Sequence, residues 1–207
     1  MRLTGLRRAV IACVILGVAA GAAAEERVIA TLGDSLTAGF GVAADEAWPA
    51  LLQARLRREG YPYRVVNAGV SGDTTAGGLR RVDWVLRARP EVVVVALGAN
   101  DGLRGQSVPV MRRNVAEIVR RLRAGGATVL LAGMRLPPNY GAEYAAEFAR
   151  AFRDVAAERR VAFMPFLLDG VAADPTLSQA DGLHPNAAGH RVIAERLWPF
   201  LRPLLRR

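Results

Sequence analysis

The 207-residue chain carries 28 basic side chains against 19 acidic ones, a net charge of +9, and it is long enough to bury the core of one domain. Every basic residue is arginine, and pairs such as Arg57-Arg58, Arg80-Arg81, Arg112-Arg113, Arg120-Arg121 and Arg159-Arg160 fall on helical patterns, where a charged face is ordinarily solvated. Without a recognition motif or aromatic residues among the arginines, nucleic-acid binding finds no support, which leaves at most salt-sensitive, peripheral attraction to anionic membrane surfaces.

At the amino terminus Arg2, Arg7 and Arg8 precede the apolar run Ala9 to Ala20, and Ala22-Ala23-Ala24 precedes Glu25-Glu26. Such a basic, then apolar, then small-residue order predicts a secretory signal peptide over 1–24, cleaved after Ala24, and a periplasmic or secreted single domain over 25–207. Val10-Ile11-Ala12-Cys13 is like a lipoprotein box, but only four residues separate Arg8 from Cys13, too few for an apolar region of about 7–15. Cleavage at Ala24 removes the chain's one cysteine and three arginines, leaving a net charge of +6 and no thiol chemistry.

From Val28 a compact β-branched run reads as a buried strand that stops at Gly33-Asp34-Ser35. A serine just past the first strand of a parallel sheet lies where ligands bind, which makes Ser35 a candidate nucleophile; the plain alternative is that Asp34-Ser35 only caps a helix. Gly39 and Gly41 interrupt the pattern until Asp45, which is expected to cap a helix from Glu46 to about Glu59. A second strand, Arg64 to Ala68, leads into Gly69-Val70-Ser71-Gly72, and a helix is expected from Asp73 or Thr74. Val92 to Leu97 is apolar throughout, as a strand covered on both faces should be, and it ends in Gly98-Ala99-Asn100-Asp101-Gly102. A helix from about Pro109 to Arg123, a strand from Ala127 to Ala132, a helix from Ala142 to about Arg159 and a strand from Val161 to Met164 follow. Pro165 to Leu168 is expected to wall a pocket, and after Asp181-Gly182-Leu183-His184-Pro185-Asn186 a last helix runs from Ala187 to about Trp198. Five strands alternating with helices predict a three-layer α/β/α domain, a five-stranded parallel sheet of flavodoxin-like order 2-1-3-4-5.

In that order the turns at Ser35, Gly72 and Asn100 are neighbours, so the Ser35 and Gly72 N–H groups and the Asn100 amide could hold an oxyanion. Gly72 taken alone is equally a turn needing positive φ, and Asn100 a local cap. Of the two histidines, His190 reads as a helix surface or packing residue. His184, extended by Pro185 and three residues after Asp181, can take the Ser35 proton while Asp181 orients it; otherwise the pair is only a helix start capped with Asn186.

Gly33-Asp34-Ser35-Leu36, Ser71-Gly72-Asp73-Thr74, Gly98-Ala99-Asn100-Asp101 and Asp181-Gly182-Leu183-His184-Pro185 resemble, in order, the four blocks of the GDSL or SGNH hydrolase superfamily. Ala47 to Leu52, Asn100 to Gly105 and Arg135 to Gly141 are similar to its bacterial thioesterase I, lysophospholipase and arylesterase group. The resemblance implies Ser35, Asp181 and His184 as a triad and Ser35, Gly72 and Asn100 as oxyanion donors. It also implies substrate contacts from Asp34, Gly102, Leu103, Arg135, Leu136 and Pro137, with Gly102 to Ser107 a mobile loop, and no metal or other cofactor. Ala99 stands where that group often has glycine, which points to a stiffer turn. The function so implied is hydrolysis of acyl or aryl esters, thioesters or lysophospholipids through an acyl-enzyme. Its alternatives are a glycan O-acetylesterase and a non-catalytic flavodoxin-like binding module, though no phosphate-binding glycine motif follows the first strand.

Overall fold

The computed structural model describes residues 26–207; the signal peptide, its cut and Cys13 lie outside the described residues. Five strands, β1 (Arg27–Gly33), β2 (Tyr63–Gly69), β3 (Val92–Ala96), β4 (Thr128–Ala132) and β5 (Ala162–Met164), form one parallel sheet of order β2-β1-β3-β4-β5. The central strand β3 is buried at every position, because helices cover both faces of the sheet.

Those helices are α1 (Ser35–Ala38), α2 (Trp48–Arg58), α3 (Thr75–Arg80), α4 (Val82–Leu86), α5 (Ala99–Leu103), α6 (Val108–Ala124), α7 (Ala142–Arg159) and α8 (Ala187–Leu201). α2 packs against α8, and α6 packs against both α3 and α7. Trp48, Leu52 and Leu56 of α2 meet a core shared with Ile193, Leu197 and Leu201 of α8, while Met111, Val115, Ile118 and Leu122 line the buried stripe of α6. These are the three- and four-residue spacings that put side chains on one helix face.

Two local expectations fail for identifiable reasons. Asp45 does not cap α2, which begins at Trp48 after Ala47, a residue that gives no side-chain cap. Instead the Trp48 N–H donates to Nδ1 of His190 on α8 at 3.3 Å, a cap supplied from 142 residues away. The segment after β3, read as a turn, is the helix α5, entered through Gly98 at φ +115°.

Candidate active site

Asp34, at the carboxyl end of β1, caps α1 by accepting the Leu36 N–H on Oδ1 at 3.0 Å. Space leaves no alternative to glycine just before it, since a Cβ on Gly33 would lie 2.0 Å from Thr37 Oγ1. Asp34 thus caps the helix whose first residue is Ser35.

His184 reaches that hydroxyl from the loop before α8. Asn186 caps α8, accepting the N–H groups of Ala188 and Gly189 at 2.9 and 3.1 Å, and its own amide donates to the Thr176 carbonyl at 2.9 Å. The Gln179 N–H donates to the His184 carbonyl at 2.7 Å. Held in this way, His184 Nε2 lies 2.9 Å from Ser35 Oγ and its Nδ1 lies 2.6 Å from Asp181 Oδ2. A carboxylate only accepts, so Nδ1 carries the ring proton, Nε2 is the acceptor, and the Ser35 hydroxyl donates to it. Asp181 Oδ1 accepts the N–H groups of His184 and Leu183 at 3.0 and 2.9 Å. The His184 N–H foremost, with these other hydrogen bonds, holds the Asp181 carboxyl down to about 2, so it is charged at neutral pH. The Phe40 ring packs on the imidazole at 4.7 Å between centroids.

The three expected oxyanion donors are the Ser35 and Gly72 N–H groups and the Asn100 amide. The Ser35 N–H belongs to the first turn of α1 and has no partner within that helix. Gly72 has the φ of +77° anticipated for its turn, and its carbonyl accepts from Arg104 Nη2 at 3.0 Å. Asn100 Nδ2 donates to the Asp73 carbonyl at 3.0 Å and faces Asp34 Oδ2 at 3.4 Å. Because Gly98 takes the positive φ, Ala99 sits in the helix α5 and its methyl is accommodated beside the site.

Residues 31–192 match the sequence model of the GDSL-like lipase/acylhydrolase family. The chain belongs to that family. Esterase TesA of Pseudomonas aeruginosa is 46% identical over 183 residues, which cover 88% of this chain and 91% of the relative. The thioesterase 1/protease 1/lysophospholipase L1 of Escherichia coli is 38% identical over 184 residues, covering 88% and 87% respectively. A crystal structure of TesA superposes with a TM-score of 0.84 at 47% identity, over 86% of this chain and 100% of that one.

In this GDSL-like hydrolase a cavity of about 490 Å³ opens beside Ser35 and His184, within the range of about 300–1,000 Å³ usual for small-molecule sites. Leu103, Arg135, Leu136 and Pro137 line it as expected, together with Phe166 and Leu168 from the segment read as a wall. One of the expected contacts stands back from the cavity. Gly102 is buried behind the lining, where a Cβ would meet Leu136 at 2.6 Å and Phe148 at 2.7 Å, so it shapes the wall from behind. Asp34 is among the residues that line the cavity, with its buried side chain engaged with Leu36 and Asn100; burial lifts its carboxyl to about 6.

Sequence reading also passed over residues that hold the site together. Asp101, buried, accepts the Thr75 N–H and hydroxyl at 2.8 and 2.6 Å and so ties α5 to α3. Arg81, read as part of a solvated arginine face, has its guanidinium directed inward. Nothing in the pair Arg80-Arg81 tells one arginine from the other; only the helix phase does. Met134 and Val171 also line the cavity.

Proposed function

We propose that this ester hydrolase is an exported enzyme that cleaves medium-chain acyl esters and thioesters through an acyl-serine intermediate. The observation that carries the mechanism is the unbroken relay from Ser35 Oγ to His184 Nε2 at 2.9 Å and from His184 Nδ1 to Asp181 at 2.6 Å. His184 takes the Ser35 proton as Oγ attacks the carbonyl carbon, and the negative oxygen falls to the Ser35 and Gly72 N–H groups and the Asn100 amide. As the tetrahedral species collapses, His184 protonates the departing alkoxide or thiolate. His184 then deprotonates a water that attacks the acyl carbon, and as the carbon–Oγ bond breaks it returns that proton to Ser35, releasing the acid. Asp181, kept charged, stabilises the imidazolium formed at each step.

The apolar cavity favours an acyl chain longer than acetyl, against the alternative of a glycan O-acetylesterase, and the relatives named esterase and thioesterase/lysophospholipase support the same class. Residues 1–24 are proposed as a cleaved export signal; among the described residues no helix is long and apolar enough to cross a membrane. Ser35→Ala is expected to abolish hydrolysis of a p-nitrophenyl ester with an unchanged circular dichroism spectrum, and retained turnover would overturn the mechanism. Across p-nitrophenyl esters, kcat/KM is expected to rise from acetyl toward octanoyl; a strict acetyl preference would reject the medium-chain reading. Mass spectrometry of the exported protein is expected to find Glu25 first.

A further inference from the structure

Arginine is the one side chain with five N–H donors in a planar fork, so a single guanidinium can tie several acceptors into one rigid frame. Arg81, at the junction of α3 and α4, does so at the mouth of the sheet. Its Nη2 donates to the Gly33 carbonyl at 2.8 Å, its Nη1 to the Ala68 carbonyl at 2.5 Å and its Nε to Asp73 Oδ2 at 2.7 Å. The first two acceptors lie at the carboxyl ends of the adjacent strands β1 and β2, Gly33 as the last residue of β1 and Ala68 one before the last of β2, Gly33 two residues before Ser35. The third belongs to the turn that carries Gly72, and Asp73 offers its own carbonyl to Asn100 Nδ2 at 3.0 Å. Arg81 and Asp73 have side chains only 19% and 12% exposed, so the pair is poorly reached by competing water. The seat for the carboxylate is shaped for it: a Cβ on Gly77 would lie 1.6 Å from Asp73 Oδ1, although Gly77 lies inside α3, where glycine otherwise weakens a helix.

We propose that Arg81 is the positioning residue of the oxyanion donors, fixing the Asn100 amide and the Gly72 turn relative to Ser35 through Asp73. The proposal rests on the reading of Asn100 and Gly72 as those donors. Oxyanion stabilisation depends on donors aimed before the charge develops. The Asn100 amide is aimed because one of its N–H groups is held by the Asp73 carbonyl at 3.0 Å, which leaves the other, only 3.4 Å from Asp34 Oδ2, as the one to turn to an oxyanion, and that carbonyl is fixed because the Asp73 side chain is gripped. Lysine, with a point charge on a flexible stem, cannot reach all three acceptors in one plane.

The test compares Arg81→Lys, Gly77→Ala, Asn100→Ala and the double variant Arg81→Lys/Asn100→Ala in steady-state hydrolysis of p-nitrophenyl butyrate, well below each variant's melting temperature. Inhibition by phenylboronic acid, which forms a tetrahedral adduct on serine, is measured alongside. Arg81→Lys is expected to lower kcat about 10- to 100-fold, the scale of a misplaced catalytic group, with KM within about threefold and boronate affinity falling in step with kcat. Gly77→Ala, which displaces the same carboxylate without removing a charge, should repeat the pattern and keeps the test alive if Arg81→Lys does not fold. On the Asn100→Ala background, Arg81→Lys should cost less than alone, because one of the two donors it positions is already gone. Full kcat in folded Arg81→Lys or Gly77→Ala, or losses that simply multiply in the double variant, would overturn the proposal. Those outcomes leave the serine mechanism standing, since that is judged by Ser35→Ala.

Discussion

Asp34 carries two loads at one atom pair. Its Oδ1 caps the helix that begins at Ser35, and its Oδ2 faces the Asn100 amide. Complete burial raises its carboxyl from 3.8 to about 6, so between those values the folded chain holds a proton that the unfolded chain releases. Stability contributed by that proton is present below pH about 4 and lost as pH rises through about 6. An Asp34→Asn variant, which cannot ionise, is therefore expected to gain melting temperature relative to the parent as pH goes from 4 to 7; a constant difference across that range would refute the assignment. At Asn100 the proposed role is electrostatic, so Asn100→Ala should lower kcat by about 10²–10³ with little change in KM, as removal of an oxyanion donor does elsewhere.

At the scale of elements, three helices are linked through one tryptophan and one histidine. The Trp48 N–H at the start of α2 donates to His190 Nδ1 on α8, and the Trp48 indole N–H donates to the Leu36 carbonyl in α1 at 3.0 Å. His190 thus helps set the start of the helix that braces the Ser35 segment. With Nδ1 accepting, the proton sits on Nε2, which is buried without a partner among the described residues. Burial lowers this imidazole from 6.5 to about 4, the opposite sense to Asp34. The stability involved is present above pH about 6.5 and lost as pH falls toward 4, on the order of 3 kcal/mol when complete. His190→Gln keeps an acceptor for Trp48 and cannot titrate, so its melting temperature should fall less than the parent's between pH 6.5 and 4. An unchanged pH dependence would show that His190 does not titrate there.

Across the whole molecule, the groups proposed for catalysis come from the segments that follow β1, β2 and β3 and from the loop before α8, all at the carboxyl edge of the sheet. The cavity beside them is lined by residues from widely separated segments, Leu36, Leu103, Leu136, Phe166 and Leu183 among them. Its volume therefore limits the acyl chain, and Leu103→Trp is expected to move the kcat/KM optimum to a shorter ester while sparing acetyl and propionyl substrates. An optimum that stays in place would put the acyl chain elsewhere.

The sequence by itself determined the strand order, the family and the identity of the residues that meet. Strand periodicity and turn chemistry are local, and the blocks around Ser35, Gly72, Asn100 and His184 are short and contiguous. Only the tertiary structure decided which of two arginines turns inward at Arg80-Arg81, that α2 is capped by His190 and not Asp45, and that Gly102 stands behind the cavity wall instead of in it. Each of those facts is a contact between residues far apart in the chain, fixed by helix phase and packing, and a one-dimensional pattern carries neither.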